Sequence, residues 1–185
     1  LYRCCLSGCR KNCGSAGVFA LSNAKGRAWV FGDEINTDVM APGIYFKEPM
    51  DIAARHCLEA VDPEFAVNVQ PGDWVVAGKN FGVGSAREQA AMAFSELKVG
   101  ALLAESFARI FYRNALNLGV PALIFPQAGE VSAGDRLAVD PVAGQVDNVT
   151  TGKQYQVEPI PAHLMAMITA GGLMPHLKNT IGTTD

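Results

Sequence analysis

The stretch Asn80-Phe81-Gly82-Val83-Gly84-Ser85-Ala86-Arg87-Glu88-Gln89 sets a hydroxyl and a guanidinium two residues apart, just behind two glycines. Glycines at 82 and 84 let backbone N–H groups approach a ligand with no side chain in the way. A helix starting directly after them leaves N–H donors unpaired and a partial positive charge at its first turn, a natural anion site. Ser85 falls where an N-cap of that helix belongs, with Arg87 close behind. Amide donors and a guanidinium around a hydroxyl stabilise its alkoxide, the form a serine base or nucleophile needs. Arg87 can instead grip a carboxylate through two parallel hydrogen bonds. The plainer alternative is a serine that only caps the helix and an arginine paired with a nearby acid. Nucleotide loops do not fit. The dinucleotide pattern needs a glycine where Arg87 stands, and the Walker pattern's Gly-Lys-Ser/Thr ending is missing.

The elements that would hold this loop can be read from periodicity. Gly26 to Phe31 reads as a short strand, and Asn36-Thr37-Asp38 as a loop. Pro49 opens a helix with Ile52, Ala53, His56, Cys57 and Ala60 at helical spacing. Trp74 to Gly78 is a buried strand, Ala86 to Leu97 a helix, Ala101 to Ala104 a strand, Phe107 to Leu116 a helix and Val120 to Phe125 a strand. That alternation predicts a partly parallel sheet of βαβ units. Gly134 to Asp140 and Gly144 to Tyr155 then read as antiparallel strands with tight turns. Pro161 to Ala170 makes a closing helix, stopped by Gly171-Gly172. The fold class is α/β, with mixed sheets and peripheral helices. The expected organisation is a Cys-rich leader without fixed structure over 1–25, one domain over 26–179 and a frayed tail over 180–185.

The chain has 185 residues, 49% hydrophobic and 18% charged, with net charge −3. That charge offers no basic excess for nucleic acid, and no apolar run approaches the ~18 residues of a membrane span. Four of the five cysteines, Cys4, Cys5, Cys9 and Cys13, crowd the start, where a metal or iron–sulfur site is the sharper reading. Adjacent Cys4-Cys5 is not a C-x-x-C clip and no His lies nearby, so the expectation is an extension without metal. Cys57 alone in the body is the usage of a reducing, cytoplasmic compartment, and in a helix it reads as a small buried hydrophobe. Trp29 and Trp74 are expected in the core. His56, His163 and His176 have no mutual ligand spacing. Arg109 and Arg113 share a helix face, either on the wall of a site or in surface ion pairs.

Several segments occur together in one order. They are Gly-Asp-Glu-Ile-Asn-Thr-Asp at 32–38, Val-Ala-Gly-Lys-Asn-Phe-Gly at 76–82, Gly-Ser-Ala-Arg-Glu at 84–88, Ser-Phe-Ala-Arg-Ile-Phe-Tyr-Arg-Asn at 106–114 and Asn-Leu-Gly at 117–119. From about Gly26 to Lys178 the chain resembles the small subunits of aconitase-type hydro-lyases, 3-isopropylmalate dehydratase among them. The resemblance implies a swivelling β/β/α domain and a partner, an aconitase-type large subunit that carries a [4Fe–4S] cluster. This chain itself would bind no cofactor and would be inactive alone. By the same resemblance Ser85 is the base that removes a carbon-bound proton, and Arg87 binds a small dicarboxylic hydroxy acid. Thr37, Asp38, Gly84 and Ala86 border the substrate. In the partner, cluster iron would hold the departing hydroxyl as a Lewis acid.

Two departures from the family's Gly-Ser-Ser-Arg-Glu-His pattern bear on specificity. Its second serine is Ala86 and its histidine is Gln89. Pro42-Gly43-Ile44-Tyr45-Phe46-Lys47 also differs from the family's selector loop. The expected reaction is interconversion of 2- and 3-isopropylmalate by dehydration and rehydration. The alternatives are another malate-type acid (2,3-dimethylmalate, citramalate or homoaconitate), or a scaffold that kept the fold without the chemistry.

Overall fold

The computed structural model describes residues 25–85 and 87–182. The leader with Cys4, Cys5, Cys9 and Cys13, the substrate-side position Ala86 and the last three residues lie outside the described residues.

Strand β1 (Lys25–Val30) is followed by three one-turn helices: α1 (Thr37–Met40), α2 (Met50–Ala53) and α3 (Phe65–Asn68). Then come β2 (Trp74–Ala77), α4 (Glu88–Glu96), β3 (Ala101–Ala104), α5 (Arg109–Asn117) and β4 (Ala122–Ile124). Strands β5 (Arg136–Asp140), β6 (Gln145–Asn148) and β7 (Lys153–Gln156) precede α6 (Ala162–Thr169) and α7 (Leu173–Ile181). The seven strands form one sheet in the order β4-β3-β2-β1-β5-β6-β7. β1 to β4 run parallel, and β5 to β7 join β1 antiparallel, with Gly26 opposite Leu137. The expected α/β class and mixed pairing are what the structure has.

Burial follows from the topology. β2 and β3 are buried at all four positions, because helices cover the parallel half and its strands need no polar face. β5 and β6 bury alternate residues, as antiparallel strands with one wet face do. Phe81, Phe94 and Phe111 meet at ring-centre distances of 5.4–6.2 Å and fasten α4 and α5 beside the glycine loop. Trp29 and Trp74 are core residues, as expected.

Four expectations shift. Residues 36–38 are not loop: Asn36 caps α1, its Oδ1 accepting from the Asp38 N–H at 2.8 Å. The helix expected from Pro49 onward stops at Ala53, passes through a 3₁₀ turn at Ala54–His56 and ends at Leu58, whose φ is 61°. α4 begins at Glu88 instead of Ala86. Finally, the helix that stops before Gly171-Gly172 is not the closing one, because the chain goes on. It turns there into α7, where Pro175 occupies the third helical position and so gives up an N–H that has no intrahelical partner.

Asp73 is the main buried polar anchor of the parallel half. It is 7% exposed and accepts from the Arg27 N–H at 2.9 Å, the Trp29 Nε1–H at 3.1 Å and the Gln70 N–H at 2.9 Å. Asp73→Ala leaves the buried Trp29 Nε1–H and two part-buried backbone N–H groups without their acceptor, and urea unfolding should show a loss of about 2 kcal/mol with an unchanged m value.

Candidate active site

Beyond the ends of β1 and β2 the two chains stay side by side. Gly82 N–H donates to Ile35 O at 2.9 Å and Thr37 N–H to Val83 O at 2.8 Å, and Asn36 and Val83 form a parallel bridge. Thr37 is 1% exposed, and its hydroxyl donates to Ser85 O at 3.0 Å. Space here is tight. A Cβ on Gly84, whose φ is +116°, would lie 2.4 Å from Asn36 Oδ1, and one on Gly82, φ +83°, would lie 2.2 Å from the Phe111 ring.

Ser85 is exposed and is not the N-cap. Arg87 N–H donates to Ser85 O at 2.7 Å, closing a tight turn that delays α4 until Glu88. Arg87 is therefore the N-cap residue, and no side chain caps the helix. Among the described residues the Ser85 hydroxyl has no hydrogen-bond partner, so capping does not explain it.

Arg87 is paired twice. Its guanidinium forms an ion pair with Asp38 and lies 4.6 Å from the centre of the Phe46 ring. Both groups are partly exposed, with side-chain exposures of 30% for Arg87 and 55% for Asp38, so water and salt weaken the pair. The cation–π contact with Phe46 ties the 42–47 segment to the same guanidinium.

Thr37, Gly84, Ser85 and Arg87 line one open cleft of about 330 Å³ together with Val83 and, from α5, Arg109, Ile110 and Asn114. Of the residues singled out from sequence, the structure brings Thr37, Gly84, Ser85 and Arg87 to this cleft and joins Asp38 through Arg87, while Ala86 lies outside the described residues. Of the two arginines on α5 only Arg109 lines the cleft; Arg113 does not. Gln89 faces elsewhere, lining a hollow of about 20 Å³ with Pro42, Tyr45 and Phe46. Tyr45 stacks on His56 at 3.7 Å, and His56 Nδ1 lies 2.6 Å from Glu59 Oε2. Sequence reasoning passed over Phe46 as an Arg87 contact and Asn114 and Ile110 as cleft residues. Only the shared helical face of 110 and 114 hinted at the last two.

Among the described residues no group of three or more His, Cys, Asp or Glu is placed to hold a metal ion. Cys57 is fully buried, and burial pushes its thiol well above its ordinary value, away from the thiolate that a ligand must be. These residues do not fit an iron–sulfur cluster. No helix among them is long and apolar enough to cross a membrane.

Parallel strands that deliver a glycine loop, a serine with a free hydroxyl and an arginine to one cleft define a class. Residues 35–128 match the aconitase C-terminal domain model, and the chain belongs to that family. Within it, the chain is 46% identical over 156 residues to 3-isopropylmalate dehydratase small subunit 1 of Thermotoga maritima, covering 83% of this chain and 94% of that one. It is 43% identical over 160 residues to the methanogen homoaconitase small subunit of Methanothermobacter thermautotrophicus, covering 86% and 93%. The crystal structure of 3-isopropylmalate dehydratase from Methanocaldococcus jannaschii is similar with a TM-score of 0.81 at 38% identity, over 85% of this chain and 95% of that one.

The tight fit at Gly84 can be tested against Gly134, which has a positive φ of +89° but open space around its Cβ position. Gly134→Ala should cost only the backbone strain, about 1 kcal/mol. Gly84→Ala should cost more in the same urea titration. It should also speed amide exchange at Thr37 and Arg87, whose N–H groups depend on the stitched loop.

Proposed function

We propose that this chain is the small subunit of a cytoplasmic 3-isopropylmalate dehydratase. It would work with an aconitase-type large subunit to interconvert 2- and 3-isopropylmalate. One observation carries the chemistry: Ser85, with its hydroxyl uncommitted, shares an open cleft with Arg87. On this reading the Ser85 alkoxide takes the carbon-bound proton, and the C–H electron pair becomes the C=C bond as hydroxide departs. Rehydration of the same intermediate with the opposite placement of hydrogen and hydroxyl completes the isomerisation. Arg87 grips a substrate carboxylate, and Thr37 holds the Ser85 carbonyl and so keeps Ser85 on the cleft wall. The [4Fe–4S] cluster would belong to the large subunit and supply a Lewis acid for the hydroxyl.

Val83 and Ile110, 37% and 55% exposed, set apolar surface on the cleft. That supports a substrate whose side group is a branched hydrocarbon. The likeness to a homoaconitase small subunit keeps one rival, an acid with a third carboxylate. Turnover of the assembled enzyme on 3-isopropylmalate against homoaconitate decides between them.

In that complex, Ser85→Ala should lower kcat by several orders of magnitude with little change in KM, because the hydroxyl acts in the transition state. Its folding stability should stay within about 0.5 kcal/mol of the parent, as expected for an exposed side chain that caps nothing. Arg87→Lys should raise KM as well as lower kcat, since an ammonium cannot reproduce a bidentate grip. A kcat within a few-fold of the parent for Ser85→Ala would remove Ser85 from the chemistry and favour the scaffold reading.

A further inference from the structure

Two guanidiniums line the cleft, and their circumstances differ. Arg87 already faces Asp38, and the Phe46 ring lies over it. Arg109, at the start of α5, is exposed to the cleft and has no ion pair, hydrogen bond or ring contact among the described residues. A malate-type acid enters with two negative charges. Asp38 offsets the charge of Arg87, so that pair is close to neutral and cannot balance a dianion. Among the described residues, the remaining positive charge on the cleft wall is that of Arg109. Asn114, on the same helix and also lining the cleft, presents an amide that can donate beside it. Ile110 lies between them in sequence and adds an apolar surface to the same wall.

We propose that Arg109 binds the second carboxylate of the substrate, while Arg87 binds the first. This rests on the hydro-lyase reading above. It makes Arg109 a determinant of diacid specificity, because a ligand with a single carboxylate would leave one guanidinium of the cleft without its carboxylate. It also gives Arg87 time to exchange Asp38 for substrate. With one carboxylate already held on Arg109, the other competes with Asp38 as a neighbouring group at high effective concentration.

The test uses the complex with its large subunit and three variants: Arg109→Gln, Arg109→Lys and Arg113→Gln. Arg113 lies one helical turn on, is exposed and does not line the cleft, so its variant reports any general loss of positive charge. Steady-state kinetics are measured alongside inhibition by a substrate-like diacid and by the same compound with one carboxylate converted to a primary amide. Arg109→Gln should raise KM by about 10- to 100-fold with a smaller effect on kcat, and should erase the parent's preference for the diacid over the monoamide. Arg109→Lys should recover part of that preference, and Arg113→Gln should stay within about two-fold of the parent.

An Arg109→Gln enzyme with parental KM and diacid preference would overturn the assignment. So would equal losses in Arg109→Gln and Arg113→Gln, which would mean a field effect. A KM defect that disappears when the large subunit is supplied in excess would show Arg109 to be a docking residue, again overturning it. If the parent complex turns over no malate-type acid, the hydro-lyase reading fails and takes this assignment with it. That outcome differs from turnover with an indifferent Arg109.

Discussion

The side-by-side run of residues 35–37 and 82–85 is the constraint on which the site depends. β1 and β2 are adjacent and parallel, so their outgoing segments leave the same edge of the sheet in the same direction. Ligand sites in open parallel sheets gather at this edge because loops from neighbouring strands converge there. Here the convergence is enforced by backbone hydrogen bonds from Gly82 to Ile35 and from Thr37 to Val83, with the Thr37 hydroxyl on the Ser85 carbonyl. Glycine at 82 and 84 is the condition for that approach, since any Cβ there would collide with Phe111 or Asn36. Loop, serine and arginine are therefore held by the sheet itself and by a buried threonine.

The electrostatics of the cleft are unbalanced in a way that suits a reversible anion site. A guanidinium left bare attracts any anion, whereas one locked in a buried pair gives up its partner slowly. The Asp38–Arg87 pair lies between these limits, partly exposed and laid against an aromatic ring. Phe46 belongs to the segment that the sequence marked as a departure, so a change of residue there reaches the carboxylate grip through Arg87.

Much of this was legible in the residues. Fully apolar runs gave the parallel strands, alternation gave the antiparallel ones, and the motif residues converged on one cleft. What escaped had local physical causes. The start of α4 depends on a turn closed by Arg87 N–H on Ser85 O, a hydrogen bond that composition does not announce. The N-cap signal at Asn36 was present, but α1 is only one turn long and carries no periodicity. α7 was hidden by Gly171-Gly172 and Pro175, which read as a stop although proline is tolerated in a first helical turn. Separating Arg109 from Arg113 needed the rotation of α5 against the loop, which is set by the packing of Phe111 on Phe81 and Phe94.

The position of β1 has a kinetic consequence. It sits between the two halves of the sheet, paired with β2 on one edge and with β5 on the other. A ribosome delivers β1 and β2 well before β5, so the nascent parallel half presents the free backbone edge of β1 until Arg136 to Asp140 has emerged. An unpaired edge next to the apolar β2 and β3 invites strand addition from a neighbouring chain. Closing the Gly26–Leu137 register spans most of the polypeptide, which makes it the slow, long-range step of assembly. The active-site edge, stitched between residues 35–37 and 82–85, can form before β5 to β7 have joined the sheet.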